Sequence, residues 1–463
     1  MKKITIVFTL LILLKITSTS AQYTKIHDFS GGSNGFYPFS NLFFDGTYLY
    51  GTTAYGGLYN NGVIFKVKPN GTGYTTIFDF VNYLDNGSYG TLISDGTFLY
   101  GTTYGNQITN NHGTVYKIKP DGSDFTTLFT FNGLNGSRPY GGLYLNGQFL
   151  YGTTNYGGTA SVGAIYKITT NGTNFETIFN FDGSAATSGY PYGELIFDGM
   201  FLYGTTAGGN GYPPGTVFKI LPDGTGYNNL VYFTGALPGG SFPDGSLVND
   251  GTFLYGTTAS GGVNNKGSVF KVKPDGTEYQ QLFSFDGNNG WEPKHNLVIL
   301  GDYIYGMTKF GGVNSQGTIF RIKPDGTDFS KLFNFDGTTH GSIPTGSLIS
   351  DGTFLYGMTS NGGENGYGVV FKFSPQNLEN PEFYFPSDIT IYPNPSDGLI
   401  KIETQSLTQF KIEVCNILGE LITEQTSLNQ QAVVDLTNHS AGVYIVKVYY
   451  DANKIAYRKI VIK

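Results

Sequence analysis

The sequence predicts an all-β protein, a seven-bladed β-propeller closed by its own N-terminal strand and followed by a small β-sandwich. Three observations carry the prediction. The phrase Tyr-Gly-Thr-Thr, or Tyr-Gly-Met-Thr, begins at Tyr50, Tyr100, Tyr151, Tyr203, Tyr255, Tyr305 and Tyr356, at spacings of 50, 51, 52, 52, 50 and 51 residues. A period of that length is the size of one four-stranded blade. The composition agrees, since 68 Gly, 35 Tyr and 37 Phe with only 13% charged residues suit many short strands joined by tight turns. Finally, the array ends on an incomplete copy and begins with the piece that copy lacks.

The chain opens with Lys2 and Lys3, an apolar stretch Ile4 to Leu14, and small residues ending at Ala21. A charged start, a short apolar run and a small-residue cleavage site read as a signal peptide over residues 1–21. The run is too short for a spanning helix of about 20 residues. No Cys follows the cleavage site, so a lipid anchor is not expected. The mature chain is expected to begin at Gln22, be exported, and carry no transmembrane span.

The second copy shows how one blade is written. Leu92 to Ser94 is strand A, Asp95-Gly96 a hairpin turn, and Phe98 to Thr103 strand B. After a Gly/Asn-rich loop come strand C, Gly113 to Lys119, the turn Pro120 to Ser123, and strand D, Phe125 to Phe131. Strands B and C are apolar on both faces, as strands covered by neighbours on both sides must be.

The seventh copy stops after strand C, Gly368 to Phe373, without a strand D. Tyr23 to Phe29 matches Tyr74 to Phe80, the strand D of the first copy. The N-terminal strand should therefore pair with Val369–Phe373 and complete the last blade of a propeller spanning residues 22–374. Closure removes the sheet edges on which such chains aggregate. Alternating strand direction puts the short, nearly invariant A–B and C–D turns on one face. The long, variable B–C and D–A loops share the other face, where binding is expected.

The composition excludes several classes. Net charge is −7 with no basic run, so nucleic acid is not an expected partner. The single Cys415 excludes an intrachain disulfide and a Cys-based metal site. The Asp-Gly turns lack the carboxylate density of calcium loops, so no metal or cofactor is expected. A sialidase-like site needs several arginines, and the blades hold only Arg138 and Arg321. Glycoside hydrolysis needs two paired carboxylates. Glu194 and Glu292 are available but lie two blades apart, and no His-Glu-x-x-His motif occurs.

Groups repeated in every copy read as architecture. These are the Tyr-Gly-Thr-Thr hydroxyls and the basic ring Lys66, Lys117, Lys167, Lys219, Lys271, Arg321 and Lys372. Departures from the repeat read as candidate function. In the D–A loops a Gly recurs at Gly90, Gly141, Gly193, Gly245 and Gly346, replaced by Ser40 and His295 in the other copies. The sixth copy holds the only Trp, in Trp291-Glu292-Pro293-Lys294-His295. His340, Arg138 and Glu194 are unrepeated polar residues of equivalent loops, and Tyr140 and Tyr192 are aromatic ones. Trp291, Glu292, His295, His340, Arg138, Glu194, Tyr140 and Tyr192 are the ligand-binding candidates. Aromatic faces among amide donors suit sugars and also protein partners.

The repeat unit, Leu-Tyr-Gly-Thr-Thr through Gly-Thr-Val-Phe-Lys-Ile and Pro-Asp-Gly-Thr to Phe-Asp-Gly, resembles the GloVer-type tandem repeat of bacterial exported proteins. The resemblance covers roughly Tyr23 to Phe373, implies no defined activity and carries over no catalytic residue. After a Pro-rich linker, 375–386, residues 387–463 read as about seven short alternating strands, a small β-sandwich. Ile389 to Pro395, Gly398, Leu418-Gly419-Glu420, Gly442 to Val446 and Lys459 to Lys463 resemble the type A sorting domain of the type IX secretion system. That resemblance implies the type IX machinery of a Bacteroidetes-type bacterium as partner. It also implies passage across the outer membrane, with the chain then attached to the surface or released.

The expected function is a secreted or outer-membrane-surface binding module without catalysis, its ligand a glycan or a protein. A hydrolase or lyase of extracellular polysaccharide and a structural surface-layer component are the alternatives.

Overall fold

The computed structural model describes residues 22–462 apart from 82–86, 106–110, 209–213, 236–238, 376–388, 405–408, 417–420 and 452–453. The expected signal peptide, most of the linker and the Leu418 motif lie outside the described residues. The described residues form two compact units, the first Tyr23–Pro375, the second beginning after it.

The first unit is all-β and propeller-like. It holds seven four-stranded antiparallel sheets. Six are consecutive in sequence, as in Ile93–Ser94, Leu99–Thr103, Thr114–Ile118 and Thr126–Thr130. The seventh combines Ile349–Ser350, Leu355–Thr359 and Val369–Phe373 with the N-terminal strand Tyr23–Asp28, Tyr23 opposite Phe373 and Asp28 opposite Val369. Among the described residues no sheet closes on itself, and apolar side chains join successive sheets. Seven apolar clusters each span two successive sheets, and one of them joins Ile26, Phe29 and Val370 to Leu42, Leu49 and Phe65 of the first sheet.

The repeated phrase has a part for each residue. The tyrosine hydroxyl donates to the Asp of the A–B turn, as in Tyr50 to Asp45 at 2.9 Å and Tyr203 to Asp198 at 2.6 Å. The glycine lies under the strand C aromatic, where a Cβ on Gly51 would stand 2.6 Å from the Phe65 ring. The first threonine reaches the next D–A loop, as in Thr52 to the Ser88 carbonyl at 2.8 Å. The basic ring is structural as well. Lys66, Lys219 and Lys271 donate to Pro120, Pro274 and Pro324 carbonyls of the following repeat at 2.9–3.1 Å.

Each strand D carries one bulged residue, which sharpens its twist. Ile26 in the N-terminal strand skips its partner as Ile77 does in the first sheet. The bulge explains the next turn. Gly122 sits at φ +91° with the Ile77 carbonyl where its Cβ would be, 2.1 Å away, so only glycine fits.

Aromatic pairs stack across the joints: Phe78 on Phe125, Phe129 on Phe175, Phe179 on Tyr227, Phe283 on Phe329 and Phe333 on Tyr23. At the joint to the first sheet the pair is His27 on Tyr74, with ring centroids 3.6 Å apart. Burial pushes the His27 imidazole down to about 4, and its Nε2 has no hydrogen-bond partner. The fold therefore favours the neutral ring. Its contribution is fully present above the unfolded value of about 6.5 and is lost as pH falls from there to about 4. The expected result is that His27→Phe, the residue of most sibling strands, melts progressively higher than wild type as pH falls through that range. A melting difference that does not change with pH would refute it.

In the second unit, Ile389–Tyr392, Leu399–Thr404 and Gln431–Asp435 form a three-stranded sheet. Leu421–Ser427, Phe410–Asn416, Gly442–Asp451 and Lys454–Ile462 form a four-stranded one. Alternate residues of both, among them Ile391, Ile400, Ile402, Ile412, Val414, Val446 and Ile460, share one core.

Candidate functional site

Each D–A loop enters strand A through a buried leucine, Leu42, Leu92, Leu143, Leu195, Leu247, Leu297 or Leu348. The residues just before these leucines meet and form a hydrogen-bonded circuit. Ser347 N–H donates to Asn41 Oδ1 at 2.6 Å, Asn296 N–H to Ser347 Oγ at 2.8 Å, Ser246 N–H to Asn296 Oδ1 at 2.8 Å and Glu194 N–H to Ser246 Oγ at 2.6 Å. Gly142 has no side chain to continue the circuit, and the long Glu194 side chain crosses the gap. Its carboxylate accepts from the Thr91 hydroxyl, from Asn41 Nδ2 at 3.2 Å, and from the backbone N–H groups of Thr91 and Gly142. Burial raises the Glu194 carboxyl above its usual range, and those donors pull it back.

Two residues earlier in each loop stand Phe39, Tyr89, Tyr140, Tyr192, Asp244, Lys294 and Thr345. The four aromatics form an arc. Phe39 stacks on Tyr89 at 5.5 Å, Tyr89 on Tyr140 at 5.4 Å, and Tyr140 meets Tyr192 edge-on at 5.2 Å. Burial raises the phenol pKa values of Tyr89, Tyr140 and Tyr192, so these groups stay protonated and act as O–H donors. Opposite the arc is a charged wall. Lys294 Nζ lies 3.4 Å from Asp244 and 3.2 Å from Glu292, with Lys309 3.6 Å from Glu292 on its other side. Burial pushes the Asp244 carboxyl up to about 6, against the pull of Lys294.

Arc, wall and circuit line a cavity of about 770 Å³. Of the sequence candidates, Tyr140, Tyr192, Glu194, Trp291, Glu292 and His295 line it. Glu194 and Glu292, two blades apart in sequence, thus meet in one cavity, but Glu194 is spent on the circuit. His295 is held neutral, its pKa down to about 3 through burial and the neighbouring Lys294 and Lys309. Trp291 pairs its backbone with Phe310, and the Lys266 ammonium sits 3.7 Å over its ring, so Trp291 is an edge of the mouth rather than an open platform.

Arg138 and His340 are not part of the lining. The Arg138 guanidinium lies over the rings of Tyr156 at 4.7 Å and Tyr104 at 5.4 Å. His340 Nδ1 bonds Asp336 at 2.7 Å, and its carbonyl accepts from the Tyr23 hydroxyl at 2.8 Å, clamping the N-terminal strand. Gly31 to Gly35 has the Gly-x-Ser-x-Gly spacing of a nucleophile elbow. Its Ser33, however, is exposed on the single turn Gly32–Asn34 rather than on a strand-to-helix bend. Asp244 and Lys294 were not among the sequence candidates. Comparing the copies at the residue after the D–A proline would have exposed them, because that position changes from aromatic to charged between the fourth and fifth copies. Among the described residues no group of three His, Cys, Asp or Glu side chains is placed to hold a metal ion, and no helix is long and apolar enough to cross a membrane.

Comparison with known proteins places these features. The Gloeobacter/Verrucomicrobia repeat matches at residues 12–143, 88–253 and 190–405. The chain is similar to ulvan lyase NLR42 of Nonlabens ulvanivorans, 28% identical over 116 residues, which are 24% of this chain and 22% of that enzyme. The chain thus spans about a fifth of the length of that relative. The oligogalacturonate lyase of Vibrio parahaemolyticus superposes with a TM-score of 0.52 at 11% identity, covering 76% of this chain and 93% of that one. PorZ, a surface component of the type-IX secretion system of Porphyromonas gingivalis, superposes with a TM-score of 0.48 at 14% identity, covering 94% of this chain and 60% of that one. At such identity the lyase likeness concerns the fold alone, propeller-like and all-β. The secretion system C-terminal sorting domain matches at residues 390–463 and directs the chain to the cell surface or beyond. A repeat match over most of its length and a sorting domain at its end make this chain a member of the Gloeobacter/Verrucomicrobia repeat family, exported by type IX secretion.

Proposed function

We propose that residues 22–374 are a seven-bladed propeller closed by the N-terminal strand, and that its variable face binds a glycan without catalysis at the cell surface or outside the cell. On this reading residues 1–21 are removed near Ala21, 375–386 are a linker and 387–463 the sorting sandwich. The observation that carries the binding role is the cavity of about 770 Å³ with an aromatic arc facing a polar wall. Sugars have the matching two-sidedness, a C–H face that stacks on rings and a hydroxyl edge that bonds carboxylates, amides and ammonium groups. Such a cavity supports binding over a purely structural surface role.

The test is a glycan screen on the chain from Gln22, followed by calorimetry on variants. Tyr140→Ala and Trp291→Ala are each expected to weaken binding by roughly five- to tenfold, on the scale of one aromatic contact. His295→Gly is expected to leave the melting temperature within about a degree, since five sibling blades carry glycine there. Normal binding by all three, with binding abolished by Asp275→Ala in the opposite-face turn, would show that the wrong face was chosen.

A polysaccharide lyase or hydrolase is the second reading. Asp244, with its carboxyl at about 6, and Glu292, sharing Lys294 with it, favour acid–base chemistry. The ulvan lyase likeness points the same way. The raised phenols argue against a tyrosine base. Incubation with ulvan and polygalacturonate separates the readings. New reducing ends or unsaturated uronates, lost in Asp244→Asn, would establish catalysis.

A further inference from the structure

Resting on the glycan reading, we infer that the unit held in this cavity carries an ammonium group, making the ligand an amino-sugar glycan whose cation sits between Tyr140, Tyr192 and Asp244. Tyr140 and Tyr192 stand at 79° to one another with centroids 5.2 Å apart, which makes a corner, and Tyr89 extends one wall of it. Ring faces attract cations, and several rings around one cation form a cage. Asp244 follows Tyr192 in the order of the loops, and its charge acts on both Tyr140 and Tyr192.

Charge supports the same assignment. The lining holds two carboxylates outside the circuit, Asp244 and Glu292, against one ammonium, Lys294. Lys294 is shared between Asp244 and Glu292. Lys309 stands behind Glu292 and Lys266 behind Trp291, both outside the lining. Asp244 is therefore a mostly buried carboxylate, 14% exposed, that shares its nearest ammonium, Lys294, with Glu292, while Lys309 acts on it from further off. A ligand ammonium supplies an unshared counter-charge. A uronate or sulfate would instead bring an anion beside Asp244 and Glu292.

Burial raises the Asp244 carboxyl, Lys294 and Lys309 lower it and Glu292 raises it, and its charge in turn acts on Tyr140 and Tyr192. Its carboxyl gains a proton as pH falls through about 6, so capture of a cation should weaken there.

The experiment is calorimetry on the chain from Gln22 with three probes, the tetrasaccharides of glucosamine, N-acetylglucosamine and galacturonate. The glucosamine tetramer is expected to bind about tenfold more tightly than the other two near neutral pH and to lose most of that margin near pH 5. Asp244→Asn should erase the margin. If that variant does not fold, Tyr192→Ala should reduce it. Equal or tighter binding of the galacturonate or N-acetyl tetramer, or a margin that survives Asp244→Asn, overturns the inference. If Tyr140→Ala still weakens binding of whichever probe wins, the glycan reading stands without it. No binding to these probes or to any glycan of the wider screen sinks both.

Discussion

Removing Gln22–Ser30 is expected to unfold the first unit or drive it into association. The deleted strand carries the ladder to Val369–Phe373 and three buried side chains, Tyr23, Ile26 and Phe29. Tyr23 stacks on Phe333 at 4.7 Å and on Phe371 at 5.2 Å, and its hydroxyl bonds the His340 carbonyl. The Phe29 N–H bonds the Gly368 carbonyl at 3.1 Å, and Lys25 bridges Asp28 and Glu364 at 2.7 Å each. Burial of three such side chains stabilises by roughly 5–8 kcal/mol, comparable with the whole stability of an ordinary domain. The deletion also bares the edge of Val369–Phe373, a template for pairing with a second copy. Thermal unfolding and light scattering on the truncated chain check this. A monomer with the wild-type melting temperature would show that the strand is not what closes the blades.

Glu194→Ala is expected to have the largest effect of any single substitution in the cavity. It removes the acceptor for the Thr91 hydroxyl, the Asn41 amide and two backbone N–H groups at once. Each buried donor left unsatisfied costs about 1–3 kcal/mol, and water entering the space can recover part of that. A net loss of about 3 kcal/mol, or roughly 5 °C in melting temperature, is the expected outcome. Glu194→Gln should lose much less, because burial already raises the carboxyl's pKa and an amide keeps the length and one acceptor. Gly142→Ala should resemble the truncation, since its Cβ would lie 2.6 Å from Glu194 Oε1. An alanine variant melting within a degree of wild type would dismiss Glu194 as the fastener of the circuit.

The sequence carried much of the fold because the fold is local and repeated. A threonine bonded to the next loop, a glycine under a ring and a turn glycine beside a bulge each leave a mark within about fifty residues, written in every copy. The match of Tyr23–Phe29 to Tyr74–Phe80 extends this to the one long-range pairing, because the bulge at Ile26 repeats that at Ile77. The sorting tail was legible for the same reason, as short motifs in a set order.

The site was legible only in part. An unrepeated residue is visible in the sequence, but its neighbours are not. Glu194 meets Thr91 and Asn41, 103 and 153 residues away, and its role depends on the missing side chain of Gly142. Asp244 gains its character from burial and from Lys294 of another loop. Trp291 is capped by Lys266, Arg138 lies over Tyr156 without lining the cavity itself, and His340 packs on Tyr23 away from it. The sequence by itself determined the repeated four-stranded sheets, their turns and the route out of the cell, since these rest on patterns within one repeat or one motif. Only the tertiary structure decided which loop residues share a cavity, which are spent on one another and which stay open to the cavity. Those relations arise where loops far apart in the chain converge, and distance, desolvation and counter-charge there are properties of the assembled unit.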